Sequence, residues 1–157
     1  GGGDWSKDRL VPDIIRSIIN LKKINIRNPK STRPWQHVLE PLSGYILLAK
    51  KLYLNPKKFS GSWNFGPGNQ DNMNVEQIAK KFINFFGYGK IVINKSNNFG
   101  HEASLLQLNC DKAYRILGWK PKWNTKYTIK KVAEWYKFDK SKKIEITKSQ
   151  IKEYYAK

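Results

Sequence analysis

Only five of the thirty basic side chains in this 157-residue chain are arginines: Arg9, Arg16, Arg27, Arg33 and Arg115. An arginine fork donates two parallel hydrogen bonds to a phosphate or carboxylate, which the point charge of a lysine does not. A retained arginine in a lysine-dominated chain is consistent with a geometric demand. The stretch STRPWQHVLEPLSGY, residues 31–45, puts Arg33 at the entry to an expected short strand, one alternation before Trp35. Glu40-Pro41 then opens an amphipathic helix, and a strand-to-helix junction led by an arginine suits anion capture. The competing reading pairs Arg33 with Glu40 on the surface. His37 and His101 each have the chemistry of a ligand or general base, although a lone histidine is more often structural. Trp5 and Trp35 suit packing on a sugar or base face, or serve as buried anchors.

Several chemistries are excluded by pattern. There is no P-loop, no H-E-x-x-H and no nucleophile elbow. GGGDW, at residues 1–5, lacks the G-x-G-x-x-G spacing of a dinucleotide turn. Cys110 is the sole cysteine, so no intramolecular disulfide closes, no cysteine-based zinc site forms, and no metal site is expected. A reducing, cytoplasmic home is the expectation. The longest apolar run, Ile46 to Leu54, is interrupted by Lys50 and Lys51 and falls short of a membrane span. The leading glycines do not resemble a signal peptide.

The elements that must position these residues read as α/β, with mixed helices and short strands. Helices are expected after Pro12 (Ile14, Ile15, Ile18, Ile19), after Pro41 to Tyr53, over Val75–Phe86 stopped by Gly87, over Cys110–Leu117, over Thr128–Phe138 and over Ile146–Tyr155. Strands are expected at Lys23–Arg27, Trp35–Val38, Ser62–Phe65, Lys90–Ile93 and Leu105–Leu108. The Lys-rich stretch Asp139–Lys148 reads as a solvated linker, which divides the chain into 1–138 and a tail, 139–157. The strands are too short and too polar for a self-sufficient parallel sheet. The net charge of +18 admits a nucleic-acid or acidic-membrane partner. Its lysines scatter in pairs over every expected element, however, and asparagine and isoleucine are abundant too. That argues for compositional drift, with no specific nucleic acid and no membrane partner.

Four segments occur in order: GGGDW…RLVPDIIRS, IRNPKSTRPWQHVLEPLSGYILLA, WNFGP and HEASLLQLNCDKAYRILGWKPKW. Together, over about residues 1–138, they closely resemble the C-terminal half of the CDP-glucose 4,6-dehydratases. These are NAD-dependent members of the extended short-chain dehydrogenase/reductase superfamily. Sibling enzymes on other nucleotide sugars usually carry R-D-[YW]-x-[HY]-V-x-D where this chain has RPWQHVLE. Asn109 is a departure, since related sequences commonly have Asp there.

The resemblance implies a substrate-binding portion of a Rossmann-type enzyme. The NAD site and the catalytic Tyr-x-x-x-Lys pair and carboxylates would lie in an N-terminal half outside this chain, which itself would hold no catalytic residue and be inactive alone. It implies substrate contacts at Arg9 and Leu10 (nucleotide), Arg27 (base and ribose), Arg33 (diphosphate), and His101 and Glu102 (ribose). GGGDW would be a loop beside the sugar, its glycines allowing close backbone approach to the ligand. The implied reaction converts CDP-glucose to CDP-4-keto-6-deoxyglucose and water, a step toward cell-surface deoxysugars such as those of lipopolysaccharide O-antigen. The full-length enzyme would be a homodimer. The alternatives are another nucleotide-sugar dehydratase or epimerase of the superfamily, or a basic nucleic-acid-binding domain.

Overall fold

The computed structural model describes residues 1–68, 72–93 and 104–156. Pro12 sits in the first turn of helix α1 (Leu10–Ile19), where its missing N–H leaves no intrahelical bond unmade. Ile14, Ile15 and Ile18 then share one face and are fully buried. Strand β1 (Ile24–Ile26) follows, with Ile24 and Ile26 inward and Asn25 outward. It pairs in parallel with β2 (Ile91–Ile93), setting Ile24 opposite Ile91 and Ile26 opposite Ile93. Between them lies helix α4 (Val75–Phe86). Asn74 and Gln77 cap it reciprocally, at 2.8 and 2.9 Å, and Gly87 stops it with φ 83°.

The main core is the layer between α1, α4, β1 and helix α5 (Thr125–Lys137). Ile78, Ala79 and Phe82 of α4 meet the α1 isoleucines and Ile129, Val132 and Ala133 of α5. Each isoleucine buried there stabilises the fold by about 1.5–3 kcal/mol. Helix α2 (Leu39–Leu54) and the short helix α3 (Pro56–Phe59) close a second cluster of Phe59, Phe65, Ala113, Leu117 and Trp119. Gly44 of α2 lies flat against the Phe65 ring, where an added Cβ would fall 2.3 Å from Cδ1. The other side of α2 leaves Leu42, Tyr45, Ile46 and Tyr53 exposed.

Three expected strands do not form. Residues 62–65 make no ladder, and their carbonyls are met by side chains instead: Lys112 Nζ donates to Ser62, and Gln36 Nε2 to Phe65. Residues 35–38 make no ladder: the Trp35 amide turns back to the Arg33 carbonyl, and the Glu40 amide to the His37 carbonyl. Of 105–108, only Leu105 makes a bridge, to Thr32. The Cys110–Leu117 helix is a short turn that widens to π-type over Ala113–Leu117. Helix α5 starts at Thr125, capped by the Asn124 side chain, three residues before the expected start.

The stretch 139–148 is not a linker. A 3-10 turn at Lys140–Lys142 leads directly into helix α6 (Lys143–Tyr155). Its lysines are largely exposed, but Gln150 and Tyr154 are buried against the rest of the chain. The charge pattern concealed this, because two well-placed side chains suffice to dock a solvated helix. Among the described residues, no helix is long and apolar enough to cross a membrane.

Candidate anion-binding cleft

An open cleft of about 870 Å³ runs between the head of α1, the exit of β1 and the segment that leads to α2. Arg9 and Leu10 enter it because they start α1, and Arg27 because it follows the last residue of β1. Arg33 enters from the third segment, which also brings Ser31 and Trp35. Four of the six substrate-contact residues expected from the sequence therefore line one cavity. The other two, His101 and Glu102, lie outside the described residues. Arg33 is partly buried, and its Nη1 donates to the Thr32 carbonyl at 2.7 Å. Arg27 Nη2 donates to Asp8 Oδ1 at 3.0 Å, and both side chains are more than half exposed.

The segment carrying Arg33 is pinned at nearly every residue beyond it. The Trp35 indole donates to the Met73 carbonyl at 2.8 Å, and Gln36 donates to the Phe65 carbonyl at 2.8 Å. His37 is buried and accepts from the Leu39 amide through Nδ1 at 3.2 Å. Burial pushes its imidazole down to about 3, so it is neutral and structural rather than a general base at neutral pH. Glu40 does not pair with Arg33. Its carboxylate is fully buried and accepts from the Lys122 amide (3.0 and 3.1 Å), the Trp123 amide (2.8 Å) and the Tyr154 hydroxyl (2.6 Å). Burial and that bond to Glu40 hold the Tyr154 phenol well above the usual tyrosine range. Tyr154 also meets Ser43 Oγ at 3.0 Å, which in turn accepts from the Trp119 indole at 2.9 Å.

Arg16 reads from the sequence as a surface residue, yet it lines the cleft and organises its rim. It donates to the Trp5 and Ser6 carbonyls and pairs with Asp13, one turn earlier on α1. The Asp13–Arg16 spacing was the only local sign of this; the tie to residues 5 and 6 is tertiary. Arg115 is exposed and lines no part of the cleft. The GGGDW loop packs on α5. The Trp5 ring stands edge-on to Tyr136 at 5.0 Å, and the Tyr136 hydroxyl donates to the Asp4 carbonyl. Gly2 does allow a close approach, but to the Trp135 ring, 1.8 Å from where a Cβ would sit. Trp35 is the wall between the cleft and a smaller apolar cavity of about 300 Å³ lined by Val11, Phe82 and Val132.

No protein-family model matches the chain. It is 50% identical over 137 residues to the CDP-glucose 4,6-dehydratase of Salmonella typhimurium, covering 87% of this chain and 38% of that enzyme. The chain is a relative of the CDP-glucose 4,6-dehydratases. It spans about two fifths of the length of this curated relative. Its fold is that of the C-terminal portion of extended short-chain dehydrogenase/reductase enzymes. The dTDP-glucose 4,6-dehydratase of Bacillus anthracis, solved with NAD, superposes with a TM-score of 0.69 at 18% identity, over 88% of this chain and 42% of that one. A UDP-glucuronic acid 4-epimerase variant from Bacillus cereus, solved with NAD and a fluorinated UDP-sugar, gives 0.69 at 16% identity, over 83% and 40%.

The catalytic spacing of the dehydratase superfamily also recurs here without its chemistry. Tyr127 and Lys131 stand one turn apart on α5, as Tyr-x-x-x-Lys requires. The Tyr127 hydroxyl, however, donates to Glu153, and Lys131 is bridged to Glu153 (2.7 Å) and Glu134 (3.2 Å). The bond to Glu153 raises the Tyr127 phenol, whereas a general base of this kind needs a lowered one. The pair ties α5 to α6. Among the described residues, no cluster of three or more His, Cys, Asp or Glu could hold a metal ion.

Proposed function

We propose that this chain is the substrate-binding portion of an NAD-dependent CDP-glucose 4,6-dehydratase, a lyase forming CDP-4-keto-6-deoxyglucose and water. One observation carries the reading. Arginines from three separate segments, Arg9, Arg27 and Arg33, line one cleft in a chain half identical to a CDP-glucose 4,6-dehydratase. A nucleotide diphosphate carries two to three negative charges and suits forked donors. Arg33, half-buried and set on a pinned segment, grips the diphosphate. Arg9 and Leu10 face the nucleotide at the start of α1, where two first-turn amides and the helix dipole add to the pull on an anion. Arg27 faces the base and ribose, with His101 and Glu102 completing the ribose site.

The described residues do not fit NAD. β1 does not lead through a glycine-rich turn into a helix, and the sequence holds no G-x-x-G-x-x-G. NAD is the hydride carrier of the reaction, and no step through it is assigned to this chain. In our reading a further N-terminal half binds it, and the exposed apolar face of α2 supports a larger unit. The contribution of this chain is remote binding energy. Gripping the nucleotide fixes where the glucosyl unit lies, which lowers the entropic part of the barrier at the reacting carbons. The enzyme is read as a cytoplasmic homodimer.

The test is calorimetric titration of the full-length protein with CDP, UDP and dTDP. Saturable binding that favours CDP supports the assignment. Equal affinity for all three would leave a nucleotide-sugar enzyme of another specificity. No saturable binding, with only salt-labile association to DNA or RNA, would overturn it in favour of a basic nucleic-acid binder.

A further inference from the structure

Arg9 stands directly before α1, and Asp13 and Arg16 follow it at four and seven residues, so the three share one face and all line the cleft. Arg16 is partly buried and reaches back along the chain. Its guanidinium donates to the Trp5 carbonyl and, at 3.0 Å, to the Ser6 carbonyl, and it pairs with Asp13. A lysine there would carry the charge but not the fork that meets three acceptors at once. The consequence falls on Arg9. Lys7 and Asp8 alone separate it from Ser6, and its own carbonyl accepts from the Asp13 amide at 2.9 Å. Its backbone therefore lies between two points fixed to α1, one made by the first turn of the helix and one by Arg16. The other tethers of the loop lead elsewhere. The Tyr136 hydroxyl holds the Asp4 carbonyl to α5, and the Asp8 carboxylate meets Arg27 beyond β1. The Arg9 side chain is exposed, so its aim depends on where its backbone is held.

Resting on the proposed function above, we propose that Arg16 is a positioning residue for the nucleotide: it fastens the Trp5–Ser6 segment to α1 and so holds Arg9 aimed into the cleft before the ligand arrives. Its own donors stay on the two carbonyls and Asp13 when the cleft fills. With the fastening gone, a ligand would have to order residues 6–9 as it bound, and that ordering opposes binding.

The experiment titrates the full-length protein with CDP by calorimetry at physiological ionic strength. Arg16→Gln is expected to weaken CDP about three- to tenfold, with a melting temperature within about 3 °C of the parent. Arg16→Lys keeps the charge and loses the fork, and should weaken CDP nearly as much. In an Arg9→Gln background, itself weaker than the parent, Arg16→Gln should cost less than about twofold more, because the group it positions is gone. Unchanged CDP binding by Arg16→Gln, where the parent binds well, overturns the proposal and leaves the cleft standing. Parent-like binding by Arg16→Lys also overturns it, since charge alone would then suffice. The full loss persisting in the Arg9→Gln background overturns it in favour of direct contact between Arg16 and the nucleotide, and Arg9→Gln binding as tightly as the parent leaves Arg16 nothing to position. A collapse of the melting temperature in both Arg16 variants assigns the residue to folding instead. A parent that does not bind CDP overturns the proposed function itself.

Discussion

Removing the Glu40 carboxylate should unlock the chain at the junction of α2, the 120–124 loop and α6. Three donors converge on it: the Lys122 amide, the Trp123 amide and the Tyr154 hydroxyl. Glu40→Ala leaves all three without their acceptor and opens a void at a fully buried site. Each buried donor left without an acceptor costs about 1–3 kcal/mol and the void adds to that, so the loss should be about 3–5 kcal/mol. That is a large part of a total stability of about 5–15 kcal/mol. In urea denaturation, with a slope of about 2 kcal/mol per molar, the midpoint should fall by about 2 M. Glu40→Gln keeps one acceptor oxygen for the two amides, and the Tyr154 hydroxyl can turn to accept from the new amide group, so its cost should be about 1–2 kcal/mol. Tyr154→Phe deletes one bond of the three and should cost about 1.5–3 kcal/mol. The double change should cost less than the sum of the singles, because Tyr154 and Glu40 act on each other. A loss below about 1 kcal/mol for Glu40→Ala would refute the argument, as would strict additivity.

The remaining expectations touch other parts of the molecule. Arg33→Lys should leave the urea midpoint unchanged and weaken CDP binding about tenfold or more in calorimetry, because the charge survives and the fork does not. Gly44→Ala should lower stability by about 1–3 kcal/mol, despite alanine's advantage in a helix, because its Cβ would overlap the Phe65 ring; a gain in a melting experiment would contradict this. His37 is buried in its neutral form, with its folded value pushed from 6.5 down to about 3. Its contribution is intact above pH 6.5 and is lost as pH falls toward 3, at about 1.4 kcal/mol per pH unit. His37→Asn should flatten the decline between pH 6 and 4 relative to the parent, measured by denaturation at each pH.

Local pattern made the principal helices of the core readable. The isoleucine face of α1 and the apolar spacing and Gly87 stop of α4 are each written within a dozen residues, whereas the Asn74–Gln77 cap emerged only in the structure. Strands were less legible, because a strand needs a partner: β1 and β2 found each other across 64 residues, while 62–65 met only side chains. The docking of α6 was not legible at all. Its sequence is a lysine-rich surface, and only tertiary contacts reveal an anchored helix: Tyr154 against Glu40, Gln150 against the Lys131 carbonyl, and Glu153 against Tyr127 and Lys131.

The arginines show the same division. Their types, their scarcity among lysines and the motifs around Arg9, Arg27 and Arg33 were properties of the sequence alone, and they pointed to anion binding and to the dehydratase relatives. That these three residues share one cleft was decided by the tertiary structure, since they come from a helix start, a strand exit and a loop that only packing brings together. The role of Arg16 and the Asp8–Arg27 pair were decided there too. Both depend on contacts between residues ten or more apart, for which no local spacing carries a signal.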